Sequence, residues 1–184
     1  TSMGSRESLD RVVKIIRKLR KNHGIVTVVS AMSRVTDSLL EIGRLALAGE
    51  TDQVADAIER LRTLHENAFQ PLTDSVESRT WICRFIRRNL DEVRSLADGI
   101  ILLREFSDRT RDKLLSYGEI LSSRLLARVM GDQDPVFCHC DARKWLDADW
   151  APQGSIVDMA ATERKGRRYL LPLLQRGRAP IIPG

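Results

Sequence analysis

Apolar residues recur at helical spacing over most of the chain, and β-branched runs break the pattern at only a few places. Val12, Val13, Ile15, Ile16 and Leu19 form an apolar stripe after Ser5, a good cap, and Gly24 stands where such a helix ends. Ile25-Val26-Thr27-Val28-Val29 then reads as a short buried strand. Ser30-Ala31-Met32-Ser33 leads into a second helical stripe of Val35, Leu39, Leu40, Ile42 and Leu45, which closes near Gly49. A helix, a glycine stop, a strand and another helix are the local grammar of a parallel α/β sheet. In such sheets ligands bind beyond the carboxyl ends of the strands, so the loop after the first strand is the first candidate site.

From Thr51 to about Leu103 the pattern predicts helical hairpins, with Val54, Ile58, Leu61 and Leu64 on one face, then Trp81, Ile82, Phe85, Ile86, Val93 and Leu96 beyond Pro71. Ser107-Asp108 are capping residues for a helix running to about Met130 with Leu114, Leu121, Leu125 and Val129 in a narrow stripe. Val136 to Cys140 predicts a second strand. Ala160 to Leu174 predicts a last helix that Pro172 would kink, and Pro180-Ile181-Ile182 begins a third strand. There is no internal repeat, low-complexity tract or linker, so residues 1–184 are expected to form one domain with a helical insertion at about 51–104.

Composition narrows the functional classes. With 184 residues, 42% of them hydrophobic, one core is sufficient, and no run approaches a membrane span. The opening residues contain neither a basic region nor an apolar signal core, and three cysteines (Cys83, Cys138, Cys140) do not outline a disulfide framework; both point to the cytoplasm. The net charge of +5 permits a polyanion partner, but the cations interleave with acids along helices and no aromatic stacking set accompanies them, so solvated helix faces are the expectation and nucleic acid is not.

The candidate chemistry is sparse. Glu119 lies about 140° around its helix from the Leu114 stripe, beside Leu115 and Leu126, and none of its neighbours three or four positions away is a cation. It is either a solvated surface carboxylate or one that awaits an external ammonium. Thr36 stands at the start of the helix after the first strand, where a hydroxyl and free N–H groups can hold a carboxylate or simply cap the helix. Ser30, Ser33 and Ser38 add hydroxyls nearby. In Cys138-His139-Cys140 a strand would point the thiols one way and the imidazole the other, so no metal site is expected there. His23 and His65 are expected to be structural. No GxGxxG, Walker, HExxH or CxxC pattern is present.

Two segments carry a family resemblance. Val28-Val29-Ser30-Ala31-Met32-Ser33-Arg34-Val35-Thr36-Asp37 resembles the "VVSAMSGVT" segment of aspartokinases, and Arg109 to Ser123 resembles their "RDxLLSFGExLS" helix. Thr1-Ser2-Met3-Gly4-Ser5 is similar to the end of the opening "KFGGTSVGS", Asp141-Ala142-Arg143-Lys144 to a "DVRK" element, and Leu170 to Gly184 to "LLPLLxEGxxPVVTG".

The resemblance spans essentially the whole chain and implies an α/β, three-layer α/β/α amino-acid-kinase fold with a largely parallel sheet, incomplete at both ends. It implies phosphorylation of L-aspartate by MgATP to 4-phospho-L-aspartate, the entry to lysine, threonine and methionine biosynthesis, by an intact enzyme that is a homo-oligomer. Carried over by position, Glu119 takes the substrate ammonium, Thr36 contacts the substrate with Ser30 beside it, and Thr1 and Ser2 approach the phosphates of ATP. No catalytic residue is expected within the chain, because the family's lysine would precede Thr1; the chain by itself is therefore expected to be inactive.

Two departures stand out: Arg34 replaces a usual glycine, and Asp147-Ala148-Asp149 lacks the expected threonine. The competing readings are an amino-acid kinase for another carboxylate, a basic helical nucleic-acid-binding module, and an inactive relative serving as a regulatory subunit.

Overall fold

The computed structural model describes residues 6–149 and 156–184. In chain order the elements are α1 (Arg6–Arg20), β1 (Thr27–Val29), α2 (Val35–Ala48), α3 (Thr51–Phe69), α4 (Val76–Leu103), α5 (Asp108–Gln133), β2 (Phe137–His139), β3 (Ala148–Asp149), β4 (Ile156–Val157), α6 (Met159–Tyr169), α7 (Leu171–Gln175) and β5 (Ala179–Pro183). The main sheet is parallel with strand order β1-β5-β2, while β3 and β4 form a small antiparallel pair.

The last strand therefore occupies the middle of the sheet, although it contains two prolines. Ala179 N–H donates to Val136 O on the β2 side and Gly184 N–H donates to Val29 O on the β1 side. Because N–H groups alternate along a strand, the missing donor of Pro180 falls on the β1 side and that of Pro183 on the β2 side. The registers Thr27↔Ile181 and His139↔Ile181 place each of those positions where the neighbouring strand has not begun or has already ended. Neither proline removes a ladder bond.

Helix α5 is the axis of the core. It packs against α2 and α4 and also lies along β5 and β2. Leu114, Leu121, Leu125 and Leu126 on it are fully buried, each contributing roughly 1.5–3 kcal/mol of transfer free energy. Ser107 caps it, accepting from Thr110 N–H, and Ser75 caps α4 in the same way through Ser78 N–H. A side chain at Gly43 in α2 would run into the ring of Phe106, so the turn before α5 is held close against α2.

Some expectations are corrected. The stripe on α1 is buried through Leu9, Val13 and Ile16, whereas Ile15 and Leu19 are half exposed: the apolar spacing gives the helix but not its packed face. The first strand holds only Thr27–Val29 of the predicted five residues. The last helix breaks at Leu170 into α6 and α7, because Pro172 fits only in the first turn of a new helix. His65 is fully buried, with its Nδ1 2.7 Å from Leu61 O one turn back, as a structural histidine requires. The N-cap position considered for Thr36 is occupied by Arg34, whose side chain makes no capping hydrogen bond. Ala148 and Asp149 form β3, and Asp147 before them is tied to α6 by the Lys165–Asp147 ion pair at 2.7 Å. Among the described residues no helix is long and apolar enough to cross a membrane.

Candidate functional site

The carboxyl ends of β1, β5 and β2 reach one edge of the sheet, at Ser30, Gly184 and Cys140. The chain leaves β1 through Ser30 and Ala31, buries Met32 and Val35, and enters α2 by way of Arg34 in the left-handed region at φ 68°. Arg34 supplies no side-chain cap, and the N–H groups of Thr36 and Asp37 find no backbone acceptor in the preceding loop. The first turn of α2 thus keeps unspent donors beside the exposed Thr36 side chain.

Helix α5 meets this loop at a glycine. A Cβ on Gly118 would lie 2.8 Å from Ala31 Cβ and 3.4 Å from Val35 Cγ1, so only glycine lets the helix press onto the segment between Ser30 and Thr36. One turn on, Ser122 Oγ donates to Ser30 O at 2.8 Å. Ser30 Oγ also lies 3.5 Å from where a Cβ on Gly184 would stand, so three chain segments converge on Ser30.

Glu119, next to Gly118, is half-buried at this junction. Its backbone carbonyl accepts from Ser123 Oγ at 2.6 Å, but its carboxylate forms no hydrogen bond or ion pair with any described residue. The structure thus brings the turn of Glu119 against the loop that carries Ser30 and leads to Thr36, although no direct hydrogen bond joins the side chains of these three residues. Thr1 and Ser2 lie outside the described residues.

Spacing gave no sign of the polar cluster at the end of β2. Ser123 Oγ is 3.3 Å from His139 Nε2, and Arg124 Nη1 is 3.1 Å from His139 Nδ1. A guanidinium only donates, so Nδ1 carries the lone pair and Nε2–H faces Ser123. Burial first, and the Arg124 charge second, push the imidazole down to about 4, so it is neutral at physiological pH. Asp141 accepts both arms of Arg143, at 2.9 and 2.7 Å, and this pairing holds its carboxyl below the usual range. Ser123 and Arg124 lie on α5 and His139 on β2, 15 or more residues away, so no local sequence pattern could have joined them. Cys138 and Cys140 are free thiols, and no cluster of metal-ligating side chains occurs among the described residues.

Comparison with known proteins places this geometry in a family. Aspartokinase 3, chloroplastic, of Arabidopsis thaliana is 31% identical over 131 residues, which are 71% of this chain and 22% of that protein. The bifunctional aspartokinase/homoserine dehydrogenase of Buchnera aphidicola is 26% identical over 71% of this chain and 16% of that protein. The chain thus spans about a fifth of the length of such relatives. The crystal structure of E. coli aspartokinase III in complex with aspartate and ADP superposes with a TM-score of 0.82 at 23% identity, covering 100% of this chain and 38% of that one. The same enzyme in complex with lysine and aspartate gives 0.79 at 23% identity, over 100% of this chain and 39% of that one. The family model described as "Amino acid kinase family" matches residues 1–184, and the chain belongs to that family.

Proposed function

We propose that this chain is the N-terminal part of the catalytic domain of an aspartate kinase, and that it contributes the acceptor half of the site. The protein transfers the γ-phosphoryl group of ATP to the side-chain carboxylate of L-aspartate, giving 4-phospho-L-aspartate for lysine, threonine and methionine synthesis. The observation that carries this reading is the Glu119 carboxylate, half-buried and without a partner among the described residues where α5 presses on the loop after β1. Such a group is stabilised by an incoming ammonium, and the amino group of aspartate supplies one. Thr36, with the unspent amides of the first turn of α2, and Ser30 then meet the carboxylate end of the same molecule.

Phosphoryl transfer asks the protein mainly to position the acceptor and to neutralise phosphate charge. An acceptor held at both ends, by Glu119 and by the α2 terminus, has little freedom left, so its side-chain carboxylate can be presented in line with the phosphorus. The resemblance implies that Mg2+ enters with ATP, near Thr1 and Ser2 of this chain, whereas Glu119, Thr36 and Ser30 serve the acceptor.

In the intact protein, Glu119→Ala removes a charge-assisted contact of about 1.5–3 kcal/mol, so KM for aspartate is expected to rise about 10- to 100-fold while KM for ATP stays within about twofold. Steady-state kinetics with each substrate varied in turn checks this. Equal losses toward both substrates would remove Glu119 from the acceptor site.

A further inference from the structure

A second polar cleft opens on the side of α5 turned away from Glu119, between α4, α5 and the turn after β2, with a volume of about 370 Å³. Four cations, Arg88, Arg124, Arg143 and Lys144, line it with two carboxylates, Glu92 and Asp141. Both carboxylates are already engaged. Asp141 takes Arg143 in a two-point contact, and Glu92 accepts from Tyr117 Oη at 2.7 Å, while Arg88 Nε reaches Glu92 only at 4.0 Å. Arg124 has a neutral imidazole as its hydrogen-bonding partner, and Lys144 pairs with no described carboxylate.

We propose that this cleft is a binding site for a small phosphate- or carboxylate-bearing molecule, whose anionic group is held between Arg124 and Lys144. The inference does not rest on the role given to Glu119. A cleft of this size suits a small metabolite, and an excess of cations on its walls draws anions and repels cations. Arg124 uses one of its five N–H groups on His139, and the others remain for two-point recognition of an oxyanion.

His139 reports on occupancy. The charged groups around it are Arg124 on α5 and Asp141, Arg143 and Lys144 after β2, with Arg128 in the adjoining recess already paired to Asp132 and Glu77. An anion seated between Arg124 and Lys144 cancels two of the cations that oppose protonation of the ring. The imidazole then gains a proton more readily. By linkage, an anion that keeps its charge binds more tightly as pH falls toward the range in which His139 titrates.

The test is NMR titration of the His139 ring in this chain, with inorganic phosphate and separately with succinate. Millimolar ligand is expected to raise the His139 titration midpoint by about one pH unit, equivalent to a tenfold linkage. The tighter of the two ligands identifies the anionic group. Arg124→Gln is expected to weaken binding at least about tenfold and Lys144→Gln about threefold or more. Arg87→Gln, in the separate recess between α3 and α4, is expected to leave it unchanged. If Arg124→Gln fails to fold, Lys144→Gln on the exposed turn decides the question. The proposal is overturned if neither ligand moves the His139 resonances, if both cleft variants bind like the wild type, or if Arg87→Gln weakens binding as much as they do.

Discussion

The α3–α4 hairpin and the carboxyl edge of the sheet are built from the same kinds of residue but leave different amounts of chemistry unspent. In the hairpin, Leu61, Ile82 and Ile86 are sealed, and most polar groups beside them have partners within the protein: His65 Nδ1 with Leu61 O, Arg62 between Glu59 and Glu66, and Ser78 with Arg128 of α5, leaving His65 Nε2 buried without one among the described residues. At the sheet edge, Ser30 and Thr36 are exposed, the Thr36 and Asp37 amides of α2 find no acceptor in the preceding loop, and the Glu119 carboxylate has no partner among the described residues. A region whose polar capacity is consumed internally supports the fold, while one whose capacity is left over can take a ligand. Helix α5 belongs to both, which makes it the best place to separate them.

Leu121 and Glu119 are two residues apart on α5. Leu121 is fully buried, and Leu121→Ala is expected to cost about 3 kcal/mol, within the usual range of about 2–5. Glu119→Gln removes no contact within the described residues and is expected to change stability by less than about 0.5 kcal/mol. Urea unfolding of both variants measures the difference. A cost for Glu119→Gln comparable to that of Leu121→Ala would mean that the carboxylate serves the fold, and the distinction between the regions would fail.

Each region also holds one histidine whose burial favours the neutral form, complete for His65 and partial for His139, so acid tests them together. His139 is pushed down to about 4, first by burial, and burial lowers His65 as well. The unfolded chain titrates both near 6.5 and therefore binds more protons than the native state below that pH. Stability is expected to fall as pH drops from about 6.5 to about 4. For His139, after allowance for its partial exposure to solvent, the loss is about 1–2 kcal/mol. Unfolding midpoints at pH 7 and pH 4.5 should differ less in His139→Gln than in the wild type, leaving the share of His65. An unchanged slope would show that the sheet-edge imidazole is more hydrated than its surroundings indicate.

The contrast also explains what could be read in advance. Helices α2 to α5 were legible because their apolar stripes persist for several turns and are bounded by residues such as Gly49, which closes α2, and Ser107, which opens α5. The strands were harder to bound: three to five residues carry little periodicity, and the centrality of β5 depends on where its neighbours end. Glu119, Thr36 and Ser30 stood out as polar groups at a helix face or strand end, but their substrate roles came only from the family resemblance; Gly118 brings the turn of Glu119 onto the loop between Ser30 and Thr36. Ser123, Arg124 and His139 could not be joined in advance, because their contact exists only once α5 lies on β2.

The smallest effect expected is a gain. Arg34 is a non-glycine residue at φ 68°, in the loop that leads from β1 to α2, and its exposed side chain has no partner among the described residues. The left-handed conformation costs an L-residue roughly 1–2 kcal/mol, whereas glycine adopts it freely but gives up about 0.5–1 kcal/mol through its more flexible unfolded state. Arg34→Gly is therefore expected to stabilise the chain by about 0.5–1 kcal/mol. Arg34→Ala, which keeps the backbone strain, should show no such gain. Urea unfolding of the pair tests this directly, because only relief of the backbone separates them. A destabilising Arg34→Gly would mean that the guanidinium works at the sheet edge, and that this region spends more of its polar capacity on the fold than its contacts indicate.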